Sequence, residues 1–309
     1  MIQTKSGAAG LSILSNSALI LLKLAAGAIT GSVAILTEAI HSSIDLLASV
    51  IAFFSVRAAD EPADREHPYG HQKLENLAAA IEGMLILVGA GIIIYEATRR
   101  LAIGAEIEKL GIGIAVIGFS AIANVAVSTF LYRRARALES PALEGDAAHL
   151  RTDAMTSFGV LIGLALVEIT GEPAFDAITA LVVAVAIVYS GVRILTRSGR
   201  ELVDESPPAD ELDRIEAAIA KERSRAPEIA GYHKLRARRS GTRRYVDLHL
   251  QFTAGTTLED AHAIAHELQD TIRARLRGAD VLIHLEPEDR VRPGEEIGAR
   301  AVGGSETAH

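Results

Sequence analysis

Two eight-residue stretches carry the side chains best suited to hold a metal ion. Glu38-Ala39-Ile40-His41-Ser42-Ser43-Ile44-Asp45 and Asp146-Ala147-Ala148-His149-Leu150-Arg151-Thr152-Asp153 share the pattern acid-x-x-His-x-x-x-Asp. On a helix, residues three or four apart lie on one face, with Cβ atoms about 5–6 Å apart. His41 is thus expected to stack with Asp45, and His149 with Asp153. Two such helices face to face offer two imidazole nitrogens and two carboxylate oxygens, the tetrahedral mixed set that zinc takes.

The flanks make the pattern informative. Asp45 is the only charged residue between Ser43 and Val56, and no charge occurs between Ala154 and Val167. A charged side chain at the centre of a membrane helix costs roughly 2.5–3.5 kcal/mol on insertion scales, so it is rare and usually functional. One His-Asp pair alone would also suit a water-exposed helix end. The same spacing in two separate apolar stretches argues for a site. Two aspartates carry −2, which one divalent cation cancels. Without metal the set favours proton uptake, first on the histidines, whose unperturbed pKa is about 6.5. Metal needs deprotonated ligands, so metal and protons compete for the same atoms. The expected chemistry is exchange of a divalent cation for protons. Glu38 and Asp146, three residues earlier, would line the mouth, orient a histidine, or sit as acids at a helix N-terminus.

Two further groups use the remaining histidines, the terminal His309 set aside. Asp64, His67 and His71 fall in a polar loop around Pro68 and Gly70 and could hold one ion if the loop folds over. His233, His249, His262, His266 and His284, with Glu286, crowd the C-terminal part, which suggests a regulatory metal site. Position 270 is Asp, so His266-Glu267 does not complete the His-Glu-x-x-His pattern of a zinc protease. No Ser/His/Asp arrangement or phosphate loop supports an enzyme. The absence of cysteine excludes disulfides and thiolate metal sites. A net charge of −8 gives no sign of nucleic-acid binding.

The elements that position these residues follow from hydropathy. Six apolar spans of about 17–25 residues are expected, at residues 8–30, 33–56, 74–97, 110–132, 145–169 and 175–195. Gly31-Ser32 is expected as a tight turn. The first span reads as retained rather than as a signal peptide. Gly and Ala are frequent in the spans and allow close helix packing. Arg57, Arg65, Lys73, Arg133, Arg134, Arg136, Arg193, Arg197 and Arg200 fall on one side, against Arg99, Arg100 and Lys109 on the other. By the positive-inside rule both termini are expected on the cytoplasmic side; the expected location is the cell (inner) membrane.

After Pro207-Pro208 the pattern changes. Residues 211–223 read as a helix. Residues 232–238 read as a strand with Tyr232 facing away from Leu235 and Ala237. Residues 245–252 form a strand with Val246, Leu248, Leu250 and Phe252 on one face. A helix over 258–276 and a strand over 281–285 follow. Two helices on one face of a three-stranded sheet form a small α+β domain. The expected division is a membrane domain over 1–206, a cytoplasmic domain over 207–290 and a disordered tail over 291–309.

The chain resembles the cation diffusion facilitator family of zinc/proton antiporters. The resemblance rests on Gly31-Ser32-Val33-Ala34-Ile35-Leu36, His41-Ser42-Ser43-Ile44-Asp45, His67-Pro68-Tyr69-Gly70-His71-Gln72-Lys73-Leu74-Glu75 and His149-Leu150-Arg151-Thr152-Asp153. It continues in Gly231-Tyr232-His233-Lys234-Leu235-Arg236-Ala237-Arg238 and Val281-Leu282-Ile283-His284. It implies an α-helical membrane protein of six transmembrane helices with a C-terminal ferredoxin-like cytoplasmic domain, a homodimer, and alternating access driven by the proton gradient. It implies that His41, Asp45, His149 and Asp153 form the transport site, and that Asp64, His67 and His71 form the loop site. His233, His249, His262 and His284 match ligands of a binuclear cytoplasmic site, with Glu286 where family members often have Asp. Lys73 and Asp204 match an inter-protomer charge pair. The cargo implied is Zn²⁺, with Cd²⁺ second and Zn²⁺ also resident in the cytoplasmic domain. An exporter of Fe²⁺, Co²⁺ or Ni²⁺ and a membrane-anchored metal sensor are the alternatives.

Overall fold

The computed structural model describes residues 4–30, 33–103 and 112–289. The Gly31-Ser32 turn and the tail over 291–309 lie outside these, as do the side chains of Glu38 and His41. The chain forms two compact units, one through Leu202 and one from Val203.

The first unit is a bundle of six long helices: α1 Lys5–Thr30, α2 Val33–Ala59, α3 Lys73–Ile103, α4 Ile112–Leu138, α5 Pro141–Thr170 and α6 Ala174–Leu202. Among the described residues, α1, α3, α4, α5 and α6 are long and apolar enough to cross a membrane. The ends of α5 show why it starts and stops where it does. Ser140 caps it by accepting from the Leu143 N–H at 3.4 Å, and Pro141 occupies the first turn, where a missing N–H costs nothing. Gly171, at φ 75°, closes it in the left-handed conformation and donates to the Val167 carbonyl.

Small residues set the helix spacing. Ala8, Ala9, Ala78, Ala135, Ala142 and Ala147 pack with Val56, Leu131, Leu143 and Leu150 in one buried cluster. At the α3–α6 contact a Cβ on Gly191 would stand 2.9 Å from Leu87, and one on Gly83 would stand 3.0 Å from the Leu195 nitrogen. Helices without a hydrophobic driving force between them associate by such close packing.

The second unit runs α7 Ala209–Arg223, β1 Ile229–Ser240, β2 Arg243–Phe252, α8 Leu258–Arg275, β3 Ala279–Pro287. The sheet order is β1-β2-β3. β1 and β2 are an antiparallel hairpin turning at Gly241, and β2 pairs with β3 in parallel across the α8 crossover. Val246, Leu248, Leu250 and Phe252 alternate onto the core face as expected, against Ile215 and Ile219 of α7 and Leu268 and Ile272 of α8.

β1 departs from the expected alternation. Its register shifts between His233 and Arg236, and Lys234 sits at φ 51°. This bulge inserts a residue and reverses the parity of the strand. Tyr232, Leu235 and Ala237 therefore all pack on the core, rather than Tyr232 opposing the other two. His233 is left buried on the opposite face of the sheet.

Candidate metal centres

In the bundle, α2 and α5 bring Asp45, His149 and Asp153 together, with one ligand atom from each within 4.8 Å of the others. His149 Nε2 lies 3.2 Å from Asp45 Oδ1 and 4.0 Å from Asp153 Oδ2. Asp45 and His149 are buried and Asp153 is half-buried. Asp153 is one turn from His149 on α5, while Asp45 comes from another helix, so the site exists only while α2 and α5 face each other. His41 lies on α2, one turn before Asp45.

A polar ladder supports this centre, and hydropathy alone did not show it. Asp146 is fully buried and does not line a mouth. Its Oδ1 accepts from Ser12 Oγ at 3.1 Å and from Ser49 Oγ at 2.8 Å. Asn16 Nδ2 donates to Ser49 Oγ at 2.8 Å. Three helices, α1, α2 and α5, are thus fixed around one carboxylate one turn before His149. Lys23, also buried, donates to Ser42 Oγ at 2.6 Å. The sequence signal for the ladder was three hydroxyl or amide residues at a spacing of about four, Ser12 and Asn16 on one helix and Ser49 four after Asp45. Only the packing shows that they meet.

The loop centre is local. Asp64 Oδ1 accepts from the backbone N–H groups of His67 at 2.5 Å and Glu66 at 2.9 Å, which folds the loop back on itself. Gly70, at φ 84°, completes the turn. His71 Nε2 then lies 3.0 Å from His67 Nδ1 and 3.4 Å from Asp64 Oδ2. The backbone hydrogen bond from His67 holds the Asp64 carboxyl below its ordinary range. Asp64 and His67 are more than half exposed, unlike the bundle centre.

The third centre is written into the sheet. His233 pairs in register with His249, and His249 with His284, so three histidines stand side by side across β1, β2 and β3. All three point away from the core, because the core face takes the alternate residues. Glu286, two residues beyond His284 on the same face, reaches His233 Nε2 at 2.8 Å through Oε2 and His249 Nδ1 at 2.6 Å through Oε1. His284 Nε2 is 3.4 Å from Oε1. The longer arm of Glu, compared with Asp, spans the site. Burial pushes the Glu286 carboxyl up, but the hydrogen bonds and charges of His233 and His249 outweigh it and leave it lowered.

His262 is not part of this group within one chain. α8 turns Ala261, Ala265, Leu268 and Ile272 to the core, on the other face of the sheet from the three histidines. His262 is exposed, and its Nε2 lies 3.1 Å from that of His266. Lys73 Nζ donates to the Leu202 carbonyl at 3.2 Å, and Asp204 accepts from Arg238 at 3.1 Å.

Comparison with known proteins agrees with these two units. The family model described as a cation efflux transmembrane domain matches residues 10–203, and the one described as a cation efflux protein cytoplasmic domain matches residues 207–288. The cation-efflux pump FieF of Yersinia pestis (strain Pestoides F) is 35% identical over 271 residues, covering 88% of this chain and 89% of that protein. An uncharacterized transporter of Synechocystis sp. is 33% identical over 266 residues, covering 86% and 85%. A solved structure of a putative zinc transporter, CzrB in its zinc form, is 30% identical, covers 29% of this chain and 98% of its own, and has a TM-score of 0.27.

Proposed function

Since this chain belongs to the cation diffusion facilitator family of cation efflux transporters, we propose that it exports Zn²⁺, and Cd²⁺ second, in exchange for protons. The observation that carries this is the convergence of Asp45, His149 and Asp153 inside the helix bundle. His41, one turn before Asp45 in the α2 sequence, would bring the set to two imidazoles and two carboxylates, which suits zinc. Zinc is the cargo of this centre. Its charge cancels the two carboxylates, so the loaded centre is far less costly to bury than the empty one.

The arrangement supports alternating access. Asp45 and the His149–Asp153 pair sit on different helices. A shift of α2 against α5 would take the ligands apart and release the ion on the other side. Protons then occupy the ligands for the return step, one or two per ion. The chain is read as lying in the cell (inner) membrane with both termini cytoplasmic, from the distribution of Arg and Lys at the helix ends.

In the soluble unit His233, His249, His284 and Glu286 fit a zinc ion. Two imidazole nitrogens already converge on both oxygens of one carboxylate. Zinc there would cross-link the three strands. His262 faces away within its own chain, so it would reach this group only from a second copy. That supports a homodimer held in part by metal, with Lys73 and Asp204 pairing across protomers. Asp64, His67 and His71 would make a weaker, solvent-exposed metal station.

The test is zinc flux into proteoliposomes under an imposed pH gradient. Flux that follows the gradient, with proton movement when zinc is added, is expected. Zinc flux indifferent to the gradient would remove the exchange reading, and no flux of any divalent cation would remove transport.

A further inference from the structure

A second acid lies in the bundle, outside the metal centre. Glu82, on α3, is 0% exposed, and neither carboxyl oxygen has a hydrogen-bond partner among the described residues. It points at α5. A Cβ added to Gly145 would stand 2.6 Å from Glu82 Oε2 and 3.2 Å from the Ala79 Cα. Only glycine at 145 leaves room for the Glu82 carboxyl against that helix. The next residue of α5 is Asp146, equally buried, whose Oδ2 is also unpartnered.

Among the described residues Glu82 has no counter-charge. Across α5 the acids are Asp146, which acts on Glu82 through its charge and takes the Ser12 and Ser49 hydroxyls, and Glu144, which is held by Arg197 of α6 at 2.6 Å. Arg193 of α6 is exposed. On α2, Asp45 faces His149. On α3 itself Glu75 is held by Lys5. None of these cations forms an ion pair with Glu82 among the described residues. An ionised carboxylate without a cation or a donor is costly to bury, whereas the neutral acid costs far less. Asp146 acts on Glu82 through its charge, and two buried like charges that feel each other do not both ionise cheaply.

We propose that Glu82 carries a proton in this conformation and is a proton-binding site of the transporter separate from its metal ligands. The proton sits on a Glu82 oxygen. It leaves to water when the α3–α5 contact at Gly145 opens, and Asp146, one turn before His149, links that event to the metal centre. This rests on the exchange reading above and adds to it a group that counts protons without touching metal.

Infrared spectroscopy of the full-length protein in lipid tests it. At neutral pH the wild type should show the carbonyl band of a protonated carboxyl that moves in D₂O. The band should vanish in Glu82→Gln and persist in Asp146→Asn. Identical spectra for wild type and Glu82→Gln, or a band lost only in Asp146→Asn, would overturn the assignment. Gln is the neutral isostere, so Glu82→Gln should melt at or above the wild-type temperature, and a large fall would count against a neutral Glu82. In proteoliposomes Glu82→Gln should move fewer protons per zinc ion than the wild type, and an unchanged ratio would contradict the transport role. If wild-type flux ignores the pH gradient, the exchange reading falls while the band can still stand. If flux follows the gradient and the band is absent, this inference alone falls.

Discussion

The bundle centre and the sheet centre hold similar ligands in opposite ways. In the sheet, His233, His249 and His284 stand on three hydrogen-bonded strands, and Glu286 joins two of them. Backbone pairing fixes those distances, so the site can open only if the sheet breaks. In the bundle, Asp45 meets His149 and Asp153 across a contact between two helices that share no backbone hydrogen bonds. That contact has no strand ladder; side-chain packing and single side-chain bonds such as Ser49 to Asp146 hold it. The first geometry suits an ion that stays, and the second suits one that leaves.

The largest effect expected on transport comes from the bundle centre. Asp153→Ala should lower zinc flux in proteoliposomes by more than about 100-fold, beyond the ~10–100-fold typical of losing a group that only orients a ligand. Flux within a few-fold of wild type would place the path elsewhere. Ser49→Ala comes next, because it strips one donor from Asp146 and the acceptor of Asn16. A loss of about 1–3 kcal/mol in stability, measured by thermal melting in detergent, and a flux reduction of order ~10-fold are expected. An unchanged protein would show that the ladder does not hold the bundle.

The rigid centre is sharpened through its bulge. Lys234 occupies a left-handed backbone that a side chain disfavours. Lys234→Gly should leave the melting temperature of the apo protein unchanged or higher, whereas Lys234→Val should cost about 1–2 kcal/mol and weaken zinc binding by moving His233. Equal melting of the two variants would mean the bulge is not needed. The smallest effect on flux should come from His71→Ala in the exposed loop, a change of about 10-fold or less, read as the zinc concentration for half-maximal flux.

Much of this was legible in the residue pattern. Apolar runs marked the six long helices, and the period of two in Val246, Leu248, Leu250 and Phe252 gave the core face of β2. The His-x-x-x-Asp spacing gave the intrahelical pair on α5. What the pattern did not show was which residues meet across elements. The bulge at Lys234 carries no Gly or Pro signal, so simple alternation along β1 puts Tyr232 on the wrong face. Ser12, Asn16 and Ser49 are ordinary small polar residues in apolar helices until Asp146 is placed among them. Glu82 was hidden in the third span, and its partner surface at Gly145 is a matter of helix spacing. His262 sits where an amphipathic helix exposes it, and no spacing rule says which chain it serves.

The most direct measurement is zinc flux through Asp45→Ala beside His249→Ala in the same proteoliposomes, with the zinc bound by each purified protein counted. Asp45→Ala should abolish flux while keeping the ion of the soluble unit. His249→Ala should lose that ion yet still transport. Sustained flux through Asp45→Ala, or a dead His249→Ala beside it, would contradict the division between an ion that stays and an ion that leaves.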